Sequence, residues 1–146
     1  MTFLNRQGAW YGTVLLSVGT IVAAVGCNTA GSEKLALVAG KVTVDGQPLK
    51  TGSVTFKPDA SRGNSSQHHP TSAIDADGHY ELSVPPERKG APPGWYQIVV
   101  TAYDNPRPGR LKTLIDVKYQ DEKTTPLKIE VIENPEPGRY DLKLMR

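Results

Sequence analysis

From Leu37 to the end of the chain, apolar residues recur at every second position, and the runs they form stop at Gly or Pro within a few residues. Successive side chains of an extended strand point to opposite faces, so this period puts one face of each run into a core. Val38, Gly40, Val42 and Val44 alternate with Ala39, Lys41 and Thr43, and Val54 and Phe56 with Ser53, Thr55 and Lys57. Tyr80, Leu82 and Val84 alternate with His79, Glu81 and Ser83, and the period returns over residues 96–102, 115–117, 127–131 and 140–144. Beyond residue 34 no helical i, i+3, i+4, i+7 pattern runs without meeting Pro or Gly. The expected fold is therefore all-β, a seven- to eight-stranded antiparallel β-sandwich over residues 37–146.

Asp45-Gly46 and Asp77-Gly78 supply the positive φ that tight hairpin turns require. Residues 95–103 are apolar on both faces, which predicts a central strand. Residues 62–70 are polar and contain Gly63-Asn64-Ser65-Ser66, the pattern of a long mobile loop. Asn105-Pro106-Arg107-Pro108-Gly109-Arg110 resembles Asn134-Pro135-Glu136-Pro137-Gly138-Arg139, which we read as shared turn chemistry rather than a duplicated motif.

The N-terminus follows a different rule. Residues 1–26 carry one basic residue, Arg6, and no acid, and then an uncharged stretch with apolar core Val14-Leu15-Leu16 and Ile21-Val22-Ala23-Ala24-Val25. That is a basic n-region, an apolar h-region and small residues before a cleavage point, the pattern of an export signal. Cys27 follows Ala24-Val25-Gly26, and this run resembles the lipobox of bacterial lipoproteins, in which the Cys is diacylated and becomes the mature N-terminus. Gly26 fits the small residue before the Cys; Ala24 departs from the usual Leu. A plain signal peptide and an uncleaved anchor are the alternatives. The domain reading is thus a lipoprotein signal peptide over residues 1–26, a lipidated N-terminus and tether over 27–36, and the β-rich body over 37–146.

Composition narrows the function. One Cys excludes an internal disulfide framework and a Cys-cluster zinc site. A net charge of +2, spread evenly, lacks the basic stripe of a nucleic-acid binder, so no nucleic-acid partner is expected.

The runs Gly40-Lys41-Val42-Thr43-Val44-Asp45-Gly46-Gln47-Pro48-Leu49, Gly52-Ser53-Val54-Thr55-Phe56-Lys57-Pro58, Asp75-Ala76-Asp77-Gly78-His79-Tyr80-Glu81-Leu82 and Gly94-Trp95-Tyr96-Gln97-Ile98 resemble a carboxypeptidase-regulatory-like, or transthyretin-like, β-sandwich. With the lipobox, the chain looks like the small envelope lipoproteins of planctomycete-type bacteria. The resemblance implies a Greek-key sandwich and a noncatalytic accessory role. It places the chain in the bacterial cell envelope, membrane-anchored through lipid and facing the periplasm or exterior, with an envelope protein or polysaccharide as partner. The same fold hosts a hydrolase of purine breakdown, whose first-strand His and C-terminal Tyr-Arg-Gly-Ser are missing here: the first strand offers Lys41 and Thr43, and the chain ends Leu144-Met145-Arg146.

Candidate chemistry is sparse. His68 and His69 lie in the polar loop and His79 on an outward strand face, without zinc-site spacing. Asp75-Ala76-Asp77-Gly78 resembles the start of a calcium loop, but an EF-hand needs its Gly two positions later and a Glu where Pro86 stands. A weak calcium site at Asp75 and Asp77 stays open, and no metal or other cofactor is otherwise expected. Gly-x-Ser-x-Gly does not occur. Trp95, Tyr103 and Tyr119 are the aromatics that a carbohydrate- or polymer-binding surface would use for stacking, against packing as the alternative.

Overall fold

Strands form over most of the alternating runs, and their pairing shows what each face meets. The computed structural model describes residues 33–107 and 109–146, the side chains of 105–107 excepted. One sheet joins β1 (Ala39–Val44) to β2 (Gln47–Pro48), β5 (His79–Glu81) and β12 (Leu142–Leu144). A second runs in the order β11 (Lys128–Val131), β8 (Gly94–Thr101), β3 (Ser53–Pro58), β4 (Thr71–Ala73), β6 (Ser83–Val84) and β7 (Arg88–Lys89). The hairpin β9 (Tyr103–Arg107) and β10 (Arg110–Thr113) pairs only with itself.

The inward residues are those the period selects. Val38, Val42, Tyr80 and Leu142 from the first sheet and Val54, Phe56, Tyr96, Ile98 and Val100 from the second belong to one buried cluster. Phe56 touches across both sheets, its ring centroid 6.4 Å from Tyr80 and 5.6 Å from Tyr96. Each such side chain contributes about 1.5–3 kcal/mol by leaving water.

Three expectations are corrected. The chain is all-β with antiparallel sheets, but β12 runs parallel to β1, with Val42 opposite Leu142 and Val44 opposite Leu144. Alternation is blind to strand direction, and nearly the whole of the β-rich body separates these two strands, so no short connection forces them antiparallel. The seven or eight expected strands become twelve shorter segments among the described residues, because runs change sheets. Residues 79–84 show this: β5 pairs with β1, whereas β6 pairs with β4 in the other sheet. Leu82 sits at the switch, its N–H donating to Val38 O at 2.9 Å and its carbonyl accepting from Gly90 N at 2.7 Å. Residues 115–117 are not a strand: Ile115 is buried, but Val117 is 68% exposed at the start of the 3-10 helix Val117–Gln120. Asp116 caps that helix, its carboxylate accepting from Lys118 N at 2.9 Å.

β8 is central, flanked by β3 and β11 as expected, although Tyr103 leaves it for the hairpin. The polar segment 62–70 is pinned rather than free. Asn64 is buried, donates from Nδ2 to Trp95 O at 2.9 Å and accepts at Oδ1 from Ser66 N at 3.1 Å.

Candidate functional site

The outer face of the second sheet carries a polar row fixed by register. Lys57 on β3 stands opposite Gln97 on β8, and Gln97 opposite Lys128 on β11, so these three side chains share one line across three strands. One residue beyond β3, the chain turns into the 3-10 helix Ala60–Arg62, and Asp59 caps it. Asp59 N donates to Trp95 O at 2.9 Å, which ties the turn down against β8. The result is a cleft of about 480 Å³ lined by Lys57, Asp59, Ser61, Gln97, Lys123 and Lys128 among others. That size lies within the range of small-molecule sites.

Asp59 is the unusual member. It is only 2% exposed, and its Oδ1 accepts from Ser61 N at 3.1 Å and from Ser61 Oγ. Its Oδ2 is the one buried side-chain polar atom among the described residues that has no hydrogen-bond partner. Lys128 Nζ stands 3.8 Å away and Arg62 Nε 3.9 Å, close enough for charge attraction but beyond hydrogen-bond reach. The Ser61 hydroxyl holds the Asp59 carboxyl below its ordinary pKa; burial opposes this, and the Lys128 charge and the Gln97 side-chain amide assist it. The carboxylate is thus ionised at neutral pH, with an acceptor position unspent.

The aromatic trio does not assemble. Tyr119 is 3% exposed and belongs to the core cluster, so as a ligand-stacking residue it is corrected: its hydroxyl accepts from Met145 N at 3.3 Å, and Lys118 Nζ lies 5.0 Å from its ring. Trp95 does face outward, half-buried, but the Arg62 guanidinium covers its ring at 4.3 Å. Tyr103 is exposed, and its hydroxyl donates to Gln120 Oε1 at 2.6 Å. Eight residues of extended chain, about 26 Å, separate Trp95 from Tyr103, too far for one sugar-stacking platform.

Asp75, Asp77 and His79 converge, with ligand atoms within 4.8 Å of one another, and all three are exposed. Asp75 Oδ1 is already engaged, accepting from Asp77 N at 2.9 Å and His79 N at 2.8 Å, as a turn requires. These hydrogen bonds, that from His79 N the largest, lower the Asp75 pKa against a smaller opposing effect of burial. His68 and His69 part company: His68 Nε2 lies 3.3 Å from Glu33, and His69 Nδ1 3.3 Å from Lys57 Nζ. Cys27 lies outside the described residues.

Sequence reading passed over Asp59. Its local signal was present, since an Asp two residues before a Ser at the end of a strand is a capping pattern. Nothing local announces its burial or its open oxygen. Comparison of the chain with protein-family models, with curated proteins and with solved structures finds no match.

Proposed function

We propose that the chain is a noncatalytic, lipid-anchored envelope protein whose transthyretin-like β-sandwich body serves as a structural or protein-interaction module. The observation that carries the interaction role is the β9–β10 hairpin. It pairs with neither larger sheet, all four β10 side chains are exposed, and Leu111 is held 68% in water between Arg110 and Lys112. The free edges of a separate two-stranded ribbon can take up a partner's strand, and an exposed side chain such as Leu111 adds little to the stability of the fold.

The anchor rests on Cys27 and on where the body begins. Ala36, nine residues after Cys27, is locked to Ala91 by two backbone hydrogen bonds of 2.9 Å. The chain from Cys27 to Ala36 reaches at most about 30 Å, which holds the body close to a membrane surface.

Two measurements test this reading. Mass spectrometry of the membrane-associated protein should find a diacylated Cys27 at the N-terminus, and Cys27→Ser should abolish both acylation and cleavage there. An unmodified Cys27 or cleavage elsewhere refutes the anchor. A photocrosslinking residue at position 111 should give one defined adduct in intact cells that the same probe at Glu81 does not give, and no difference between the positions refutes the hairpin.

A further inference from the structure

We propose that the cleft over Lys57, Gln97 and Lys128 binds a hydroxylated anion of the sugar-acid or sugar-phosphate class, Asp59 accepting from its hydroxyls and the lysines pairing with its charged group.

The argument starts from what the cleft lacks. A buried carboxylate oxygen without a donor costs stability, more than a neutral group would. Asp59 Oδ2 is such an atom, and two cations stop just short of it at 3.8 and 3.9 Å. An O–H donor that enters as Lys128 or Arg62 swings aside completes its hydrogen bonding. Both flanking cations are on side chains with room to move, Lys128 being 40% and Arg62 44% exposed.

The rim sets the other half of the ligand. Lys57, Lys123 and Lys128 bring three ammonium groups to the lining against the carboxylates of Asp59 and Glu122. Lys57 is engaged only loosely, 3.3 Å from a ring nitrogen of the exposed His69. An anionic group meets these lysines, but a bare inorganic anion also meets the ionised Asp59 and gains nothing from its open oxygen. A neutral sugar satisfies Asp59 and leaves the lysines unused. A metal ion faces Lys128 and Arg62 within 4 Å of the Asp59 carboxylate, and the metal-type cluster among the described residues lies elsewhere, at Asp75, Asp77 and His79. Only a molecule carrying both hydroxyls and negative charge uses the whole lining, and a sugar unit fits a cleft of about 480 Å³.

The test is calorimetric titration of the full chain in a polyoxyethylene detergent, which brings no sugar of its own. The probes are glucuronate, glucose 6-phosphate, glucose and sulfate. Saturable binding of glucuronate or glucose 6-phosphate is expected, with glucose and sulfate each weaker by about tenfold or more. Binding of glucuronate alone assigns a carboxylate source, and of glucose 6-phosphate alone a phosphate source. Asp59→Asn should weaken binding by about tenfold. Because Asp59 also caps a helix, the double variant Lys57→Gln with Lys123→Gln, which replaces two rim ammonium groups by neutral amides, carries the test if Asp59→Asn does not fold. Absence of saturable binding by both anionic sugars, sulfate binding as tightly as they do, or unchanged affinity in the double variant overturns the proposal.

Discussion

The Asp45-Gly46 and Asp77-Gly78 turns share a dipeptide and nearly the same glycine conformation, φ of +81° at Gly46 and +84° at Gly78. Around the first there is open space: a Cβ on Gly46 meets nothing within 4 Å. Asp45 also has positive φ, 51°, so the pair closes β1 onto β2 as a tight hairpin with Val44 opposite Gln47. The second turn carries a load. A Cβ on Gly78 lies 2.9 Å from Val42 O and 3.1 Å from Pro48 Cβ, and Gly78 O accepts from Val42 N at 2.8 Å. The strands it joins then part, β4 to the second sheet and β5 to the first. One turn is a local hairpin and the other a joint between sheets. The same two letters encode the φ in both places and the crowding in neither.

The largest expected effect tests that joint through the strand it launches. Leu82, fully buried where the chain changes sheets, should lose about 4 kcal/mol as Leu82→Ala, through lost transfer energy and a residual cavity. Gln47, exposed just after the first turn, should change stability by less than about 0.5 kcal/mol as Gln47→Ala. Urea titration of the full chain in nonionic detergent measures both. Equal losses would break the contrast.

The glycines sharpen it. Gly46→Ala should cost about 1 kcal/mol, the strain of a Cβ at positive φ with free space around it. Gly78→Ala adds a collision with the β1 backbone, which cannot move without disturbing its pairing to β12, and should cost about 3 kcal/mol. A Gly78→Ala loss no larger than that of Gly46→Ala would mean that β1 yields, and that the second turn is as local as the first.

The same division explains what was legible in the sequence. Val42, Val54, Phe56, Tyr80, Leu82, Ile98 and Leu142 could be assigned to the core because burial of one face is a period-two property of each strand taken alone. The parallel β1–β12 pair, the sheet change at Leu82 and the helix that exposes Val117 depend on which strand lies alongside, and alternation carries no such information. The site divides likewise. Trp95 faced outward as its alternation required, but the guanidinium over it comes from Arg62, in a segment that reads as free loop and is pinned by Asn64. Tyr119 continues the period-two spacing of Ile115 and Val117 by one step, but the run is short and the exposed Val117 breaks it, so the signal for its burial was weak. Asp59 carries no sequence mark beyond its capping pattern, and only the convergence of β3, β8 and the capped helix buries it.

The smallest effect concerns Asp75, whose carboxylate organises the loaded turn by accepting from the Asp77 and His79 amides. Those hydrogen bonds favour the ionised form, so the folded pKa lies below the ordinary Asp value of about 3.9 that the unfolded chain keeps. The folded state therefore binds fewer protons than the unfolded state over that interval, and stability falls as the pH drops. The contribution is fully present above about pH 3.9 and is lost as the pH falls through the lowered folded value. Asp59 and Asp116 carry shifts of the same sign, so Asp75→Asn should make the acid limb of the stability curve shallower without abolishing it. At neutral pH the amide oxygen of Asn can still accept from the two backbone donors, and the change there should be slight. Urea midpoints measured from pH 6 down to pH 3 decide the matter: superimposable acid limbs for the wild type and Asp75→Asn would show that the turn is held by Gly78 and its contact with Val42 rather than by the carboxylate.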